Sequence, residues 1–228
     1  LPILDGAGED MFFLSNGHIS PMFYSILAHR GYFPVAELAT FRRLGTRLQG
    51  HPTTAEGLPG VRVASGSLGQ GLSVAVGVAQ AKKLANDNHL VYVLMGDGEQ
   101  EEGQIWEAAM YAPAKNVDNI VAIVDYNKKQ IDGPTDDVLS LGDLRAKYES
   151  FGWKVWECNG NDMQELVDTF NKIRENAHKG QSQILLAHTE MGMGVDFMMG
   201  THKWHGVAPN DEQAANALSQ LKETLGDY

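Results

Sequence analysis

Residues 95–133 read MGDGEQEEGQIWEAAMYAPAKNVDNIVAIVDYNKKQIDG, and the fold follows from how this stretch is parsed. Just before it the apolar run Leu90-Val91-Tyr92-Val93-Leu94 breaks at Gly96-Asp97-Gly98. A helix-like segment covers about Gln104 to Lys115, and a second apolar run, Ile120-Val121-Ala122-Ile123-Val124, ends at Asp125-Tyr126-Asn127. Two short β-branched runs joined through a helix predict a βαβ unit with parallel neighbouring strands. The expected fold class is α/β, a parallel sheet flanked by helices.

In such a unit both strands end on the same edge of the sheet, where ligands bind in open α/β folds. Asp97 and Asn127 each lie just past a strand end, so distant strands deliver two oxygens to one place. A carboxylate, an amide oxygen and a nearby backbone carbonyl suit a hard cation such as Mg2+, which completes its octahedron with phosphate and water oxygens. Taken alone, the same residues also fit a polar turn and a strand-end cap.

The 228 residues suit one large domain with a sizeable core. A net charge of −11 argues against nucleic acid or an anionic membrane as a general partner. It leaves phosphate binding open, because a metal ion and a few backbone N–H groups reverse the sign locally. Cys158 is the single cysteine, which excludes an internal disulfide and fits a reducing, cytoplasmic setting. No apolar stretch is long enough to span a membrane, and no signal peptide is visible.

Elsewhere, Asp10 to Leu14 reads as a short strand ending at Ser15-Asn16-Gly17-His18. Helices are expected over Pro21 to Arg30 and Val35 to Arg43, and Gly50-His51-Pro52 places a histidine in a rigid loop. The run Ala64-Ser65-Gly66-Ser67-Leu68-Gly69-Gln70-Gly71 opens a small-residue helix, Leu72 to Ala85. Glycines at a helix start expose N–H groups to an anion, and they also serve tight helix-to-sheet packing. The acidic cluster Glu99 to Glu102 reads mostly as residues favoured by a helix dipole. Amphipathic helices over Leu141 to Phe151 and Asp162 to Ala177 flank a strand near Trp153 to Glu157, and Ile184 to Ala187 is the last core strand. Thr189 to Pro209 reads as a mobile loop that orders over a ligand, rich in Gly and Met and carrying His202 and His205. A closing helix, Asp211 to Leu225, is capped by Asn210.

These motifs together resemble transketolase. GDGEQEEGQIWEA and NKKQIDGPT are similar to its thiamine-diphosphate and metal motif, and RLQGHP, SGSLGQG and KWHGVAPN support the same family over about Phe13 to Asn210. The resemblance implies that Asp97, the Asn127 side chain and the Lys129 carbonyl hold Mg2+, with Ca2+ or Mn2+ as substitutes. It implies that Gly66, Ser67, Leu68, Gly98, Asn127 and Ile131 surround thiamine diphosphate. His18 and His205 would then contact cofactor and substrate, and His51 substrate, as catalytic residues. Glu102 corresponds to a Glu near the family's subunit interface, and His202 is a weaker candidate. Ser67 stands where many full-length transketolases have Pro and split forms commonly have Ser. Lys128 stands where many relatives have Gly, which restricts the backbone beside Lys129.

The resemblance further implies an upstream segment with a Gly-His-x-Gly motif ahead of Leu1, and a pyrimidine-binding domain whose Glu activates the cofactor. The expectation is therefore a single cofactor-binding domain over 1–228. It would act as the N-terminal subunit of a split transketolase that transfers two-carbon ketol units between sugar phosphates. Its partner would be a C-terminal transketolase subunit, in a homo- or hetero-oligomer. Alternatives are a subunit resembling deoxyxylulose-phosphate synthase or a 2-oxo acid dehydrogenase, or a non-catalytic, cofactor-binding regulatory subunit.

Overall fold

The apolar runs around residues 90–94 and 120–124 are adjacent strands of one parallel sheet, joined through a helix. The structure, a computed structural model, describes residues 6–221. In chain order its elements are β1 (Met11–Leu14), α1 (Ser20–His29), α2 (Gln70–Leu84), β2 (Val91–Gly96), α3 (Gly103–Ala114), β3 (Ile120–Tyr126), β4 (Lys129–Gln130) and β5 (Gly133–Pro134). They continue with α4 (Thr135–Leu139), α5 (Leu144–Phe151), β6 (Lys154–Asn159), α6 (Met163–Glu175), β7 (Gln183–His188) and α7 (Asp211–Gln220).

The main sheet has the order β1-β2-β3-β7-β6, and every pairing in it is parallel. The chain lays down β1, β2 and β3 side by side, moves out to the edge at β6 and returns to fill the place beside β3. Strand order therefore reverses between β3 and β7, and in open α/β sheets the crevice at such a reversal is where ligands bind.

Residue alternation along the strands explains why both faces are covered. Val91, Val93 and Met95 of β2 and Ile120, Ala122 and Val124 of β3 join a core with α2, α3 and α5. Val121 and Leu185 pack with Ile173 of α6 on the other face, and Leu14 packs with Phe23, Tyr24 and Leu27 of α1. Each such fully buried Val, Ile or Leu contributes roughly 1.5–3 kcal/mol relative to exposure.

Helix ends follow their capping residues. Asp162 accepts from the N–H groups of Gln164 and Glu165 at the start of α6, and Asp143 from that of Ala146 in α5. Asn210 and Gln213 form a reciprocal capping box on α7. In α3 the last turn contains Pro113. Lacking an N–H, Pro113 leaves the Ala109 carbonyl without its helical partner, and the Trp153 indole N–H donates to that carbonyl at 2.7 Å.

One expectation is narrowed: the helix expected over Val35 to Arg43 is a 3-10 helix over Val35–Thr40. Val35, Leu38 and Phe41, spaced by three, are the residues that pack on the α1 core, and a three-residue repeat matches the 3-10 turn. The segment after Asn127 folds into a two-strand hairpin, Lys129 opposite Pro134 and Gln130 opposite Gly133, followed by α4. Helix α7 ends at Gln220, with Leu221 extended; positions 222–225 of the closing helix expected to Leu225 lie outside the described residues. The segment from 189 to 209 forms no helix or strand, but successive turns bond it to itself, with Val195 N–H donating to Gly192 and Met198 N–H to Val195. Among the described residues no helix is long and apolar enough to cross a membrane.

Candidate functional site

Five segments meet over the carboxyl edge of the sheet and enclose a cavity of about 540 Å3. The end of β1 brings Asn16 and His18, the loop before α2 brings Gly66 and Leu68, and the end of β2 brings Gly96 to Glu99. The end of β3 and its hairpin bring Asp125, Asn127, Lys129, Gln130 and Ile131, and the 189–209 segment brings Met191, Trp204, His205 and Gly206. His51 and Glu102 complete the wall. Of the candidate residues, His18, His51, Gly66, Leu68, Asp97, Gly98, Asn127, Lys129, Ile131 and His205 thus share one cavity. Ser67 is exposed and does not line it, and neither do Lys128 and His202.

Gly17 lets the first two segments cross. A Cβ there would sit 1.3 Å from the Ser65 carbonyl oxygen, so any side chain would push the β1 end away from the loop before α2.

Asp97 is 2% exposed. Its carboxylate accepts from Gly98 N–H at 2.7 Å and from Lys128 N–H. Burial pushes its pKa up to about 6, with the two N–H groups opposing and nearby Asp125 adding to the rise. No cationic side chain among the described residues pairs with it. The Asn127 side-chain oxygen accepts from Lys129 N–H at 2.9 Å, while its nitrogen faces the Asp125 carboxylate at 3.4 Å. Asp125 also accepts from the Thr189 hydroxyl, which fastens the root of the loop carrying His205.

The His18 and His205 ring centroids are 5.3 Å apart. His18 is held below its ordinary pKa first by burial and then by His205 and His51. His205 is lowered by burial, with Asp125 opposing. Both shifts favour the neutral ring, which can donate from one nitrogen and accept at the other.

Two residues here escaped sequence reasoning. Asp125 was visible only as a strand terminus, although β3 ends level with Gly96 of β2 and so had to project it to the same edge. Glu99 corrects the reading of the acidic cluster as dipole-favoured surface. It is 1% exposed and accepts from the Ser15 hydroxyl, from Gly69 N–H at 2.7 Å and from Gly96 N–H at 3.1 Å. One carboxylate thus ties β1, the loop before α2 and β2 together. Glu101 is likewise engaged, by the Gln130 amide at 2.8 and 3.0 Å.

The profile of the family described as transketolase, thiamine diphosphate binding domain, matches residues 6–226. The chain belongs to the transketolase family. That membership places this transketolase chain among transferases with a thiamine-diphosphate-binding domain. It is 41% identical over 217 residues to an apulose-4-phosphate transketolase subunit from Phocaeicola vulgatus, covering 95% of this chain and 76% of that one. It is 37% identical to the 6-deoxy-6-sulfo-D-fructose transketolase subunit SqwG of a Clostridium species, over 94% of this chain and 77% of the relative. The transketolase of Pichia stipitis in complex with sedoheptulose 7-phosphate superposes with a TM-score of 0.85 at 31% identity, over 92% of this chain and 32% of that one. The chain therefore spans about a third of such full-length transketolases.

Proposed function

We propose that this chain is the N-terminal subunit of a split transketolase. It would act with thiamine diphosphate and Mg2+ to move a two-carbon ketol unit between sugar phosphates. The observation that carries this reading is the convergence of Asp97 and Asn127 with His18, His51 and His205 on one cavity at the sheet edge. The two subunit relatives, named for a sugar phosphate and a sulfonated sugar, support that class of substrate.

The donor set fits the cofactor and its metal. Asp97 offers a nearly inaccessible carboxylate that lacks a cationic partner, Asn127 an amide oxygen and Lys129 a backbone carbonyl, the hard oxygen set that Mg2+ takes. Among the described residues the Asn16 side-chain oxygen, buried beside the cavity, has no partner, an acceptor placed for a ligand's donor.

Bound thiamine diphosphate would supply a nucleophilic carbon and an electron sink for carbon–carbon cleavage. The protein's part is orientation and proton handling. Asp97, Asn127 and Lys129 would hold the metal, and Gly98 N–H, Gly66 and Leu68 would flank the cofactor beside Ile131. His18 and His205, adjacent and favoured in the neutral form, can donate to an oxyanion or take a hydroxyl proton, with His51 completing the arc. The pyrimidine-binding domain would come from a separate C-terminal subunit, in a cytoplasmic hetero-oligomer.

Calorimetric titration of thiamine diphosphate with Mg2+, with and without the partner subunit, tests this. Wild type should bind in the presence of partner, and Asp97→Ala should lose binding at least tenfold. Absence of cofactor binding even with partner would sink the reading.

A further inference from the structure

The turn that carries Asp97 is held from behind. Gly96 ends β2, and past it the strand ladder no longer fixes the peptide planes. A Cβ at Gly96 would meet its nearest non-adjacent neighbour, the Asn16 Cβ, at 3.9 Å, an ordinary contact, so space does not call for glycine there. A residue without a side chain leaves the turn free to swing. The Gly96–Asp97 peptide plane sets the direction of the Asp97 side chain, so whatever holds that plane aims the carboxylate.

Two side chains from the 3-10 turn Gly98–Glu101 reach back to it. Glu99 takes the Gly96 N–H at 3.1 Å. Gln100 Nε2 donates to the Gly96 carbonyl at 3.0 Å and lies 3.9 Å from the Met95 sulfur. A carbonyl only accepts, so the amide must face it with its nitrogen and turn its oxygen away. That oxygen accepts from the Tyr148 hydroxyl at 2.6 Å, across 48 positions of sequence.

Tyr148 belongs to α5, and both it and Gln100 are 0% exposed. Neither lines the cavity, so both act from behind its wall. The Tyr148 ring lies against Trp106 of α3, with centroids 5.5 Å apart, and edge-on to Trp153 at 5.6 Å. Those two indoles fix where the hydroxyl points. Burial raises its pKa, so it keeps its proton and remains a donor. Such a relay is stiff, because a buried polar group that loses its partner finds no water to replace it.

We propose that Tyr148 and Gln100 are positioning residues: the relay from α5 through the Gln100 amide holds the Gly96–Asp97 peptide and aims the Asp97 carboxylate into the cavity. Its consequence for metal binding rests on the reading of Asp97 as a Mg2+ ligand.

The test compares wild type, Y148F, Q100M and Y148F/Q100M. Amide hydrogen exchange on the full chain without ligand reads the turn itself. The Gly98 and Lys128 N–H groups, both bonded to the Asp97 carboxylate, should exchange roughly five- to tenfold faster in each single variant, measured against amides of α6. That is the effect of one hydrogen bond lost. Mg2+ titrated calorimetrically in the presence of thiamine diphosphate and the partner subunit should bind more weakly by a similar factor. Q100M strands the Tyr148 hydroxyl and adding Y148F removes it, so the double variant should melt above Q100M yet bind Mg2+ no better. Affinity that climbs back to the wild-type value along with Tm makes the pair merely structural and overturns the proposal. Unchanged exchange in both single variants overturns it too, as does faster exchange with Mg2+ affinity unchanged. If exchange responds while wild type binds no Mg2+, the hold on the turn stands and the metal reading falls.

Discussion

Lys128 holds a φ of +61°, a region about 1–2 kcal/mol above an L residue's preferred basins. It does so because this bend turns its N–H toward the Asp97 carboxylate and starts the hairpin that carries Lys129. Its ammonium lies 5.6 Å from the Tyr126 ring centre, a contact too exposed to offset the strain. Lys128→Gly should therefore raise stability by about 1 kcal/mol in urea unfolding, because glycine enters the left-handed region freely. It should leave metal and cofactor affinity unchanged, since the groups involved are backbone. A drop in stability would show that the lysine side chain matters more than the bend. Asn127 shows the same economy of local geometry: with its nitrogen turned to Asp125, the amide presents its oxygen toward Lys129. The residue types at 97 and 127 could be read from the sequence. The orientation of that amide could not, because it depends on a carboxylate whose own place is set by strand register.

At the level of elements, α3 and the turn into β6 depend on one another through Pro113 and Trp153. The indole N–H satisfies the Ala109 carbonyl that the proline leaves free, in a place where both Ala109 and Trp153 are buried. Trp153→Phe should cost roughly 1–3 kcal/mol, the penalty for an unsatisfied buried polar group, plus whatever packing is lost. Adding Pro113→Ala restores a backbone N–H to the helix and should recover part of that loss, read from a double-mutant cycle in denaturant. If the two substitutions simply add, the indole contributes only packing. Elements with a clear period and a capping residue, such as β2, β3, α6 and α7, were legible in the sequence because local chemistry specifies them. Val35–Thr40 was not, since three-residue spacing over six residues resembles a helical stripe until its partner core is known. Nor was the Lys129–Pro134 hairpin, whose strands are too short to carry a pattern. The buried role of Glu99 was hidden because two of its three donors, Ser15 and Gly69, come from distant segments.

For the molecule as a whole, the cavity is rich in carboxylates, with Asp97, Glu99, Glu101, Glu102 and Asp125 in its wall. Ile131, 62% exposed on its rim, is the kind of apolar surface a second chain would cover. A ligand that binds only the folded form stabilises it by about 2.7 kcal/mol at a hundred times its dissociation constant. For a chain of this size, that amounts to a rise in Tm on the order of 5–10 °C. Thiamine diphosphate with Mg2+ should produce such a shift when the partner subunit is present and a much smaller one when it is absent. Equal shifts in both samples would mean that this chain binds the cofactor unaided.

The carboxylate of Glu99 has a consequence for how the chain is made. Ser15 and Glu99 are 84 positions apart, and among the described residues β1 pairs with no strand other than β2. During synthesis β1 can pack on α1 but has no strand to pair with until β2 has followed. Closing a loop of that length costs about 4 kcal/mol of chain entropy beyond a constant. The Asn16–His18 wall of the cavity therefore waits, while the chain is still growing, for the far end of that loop to be translated.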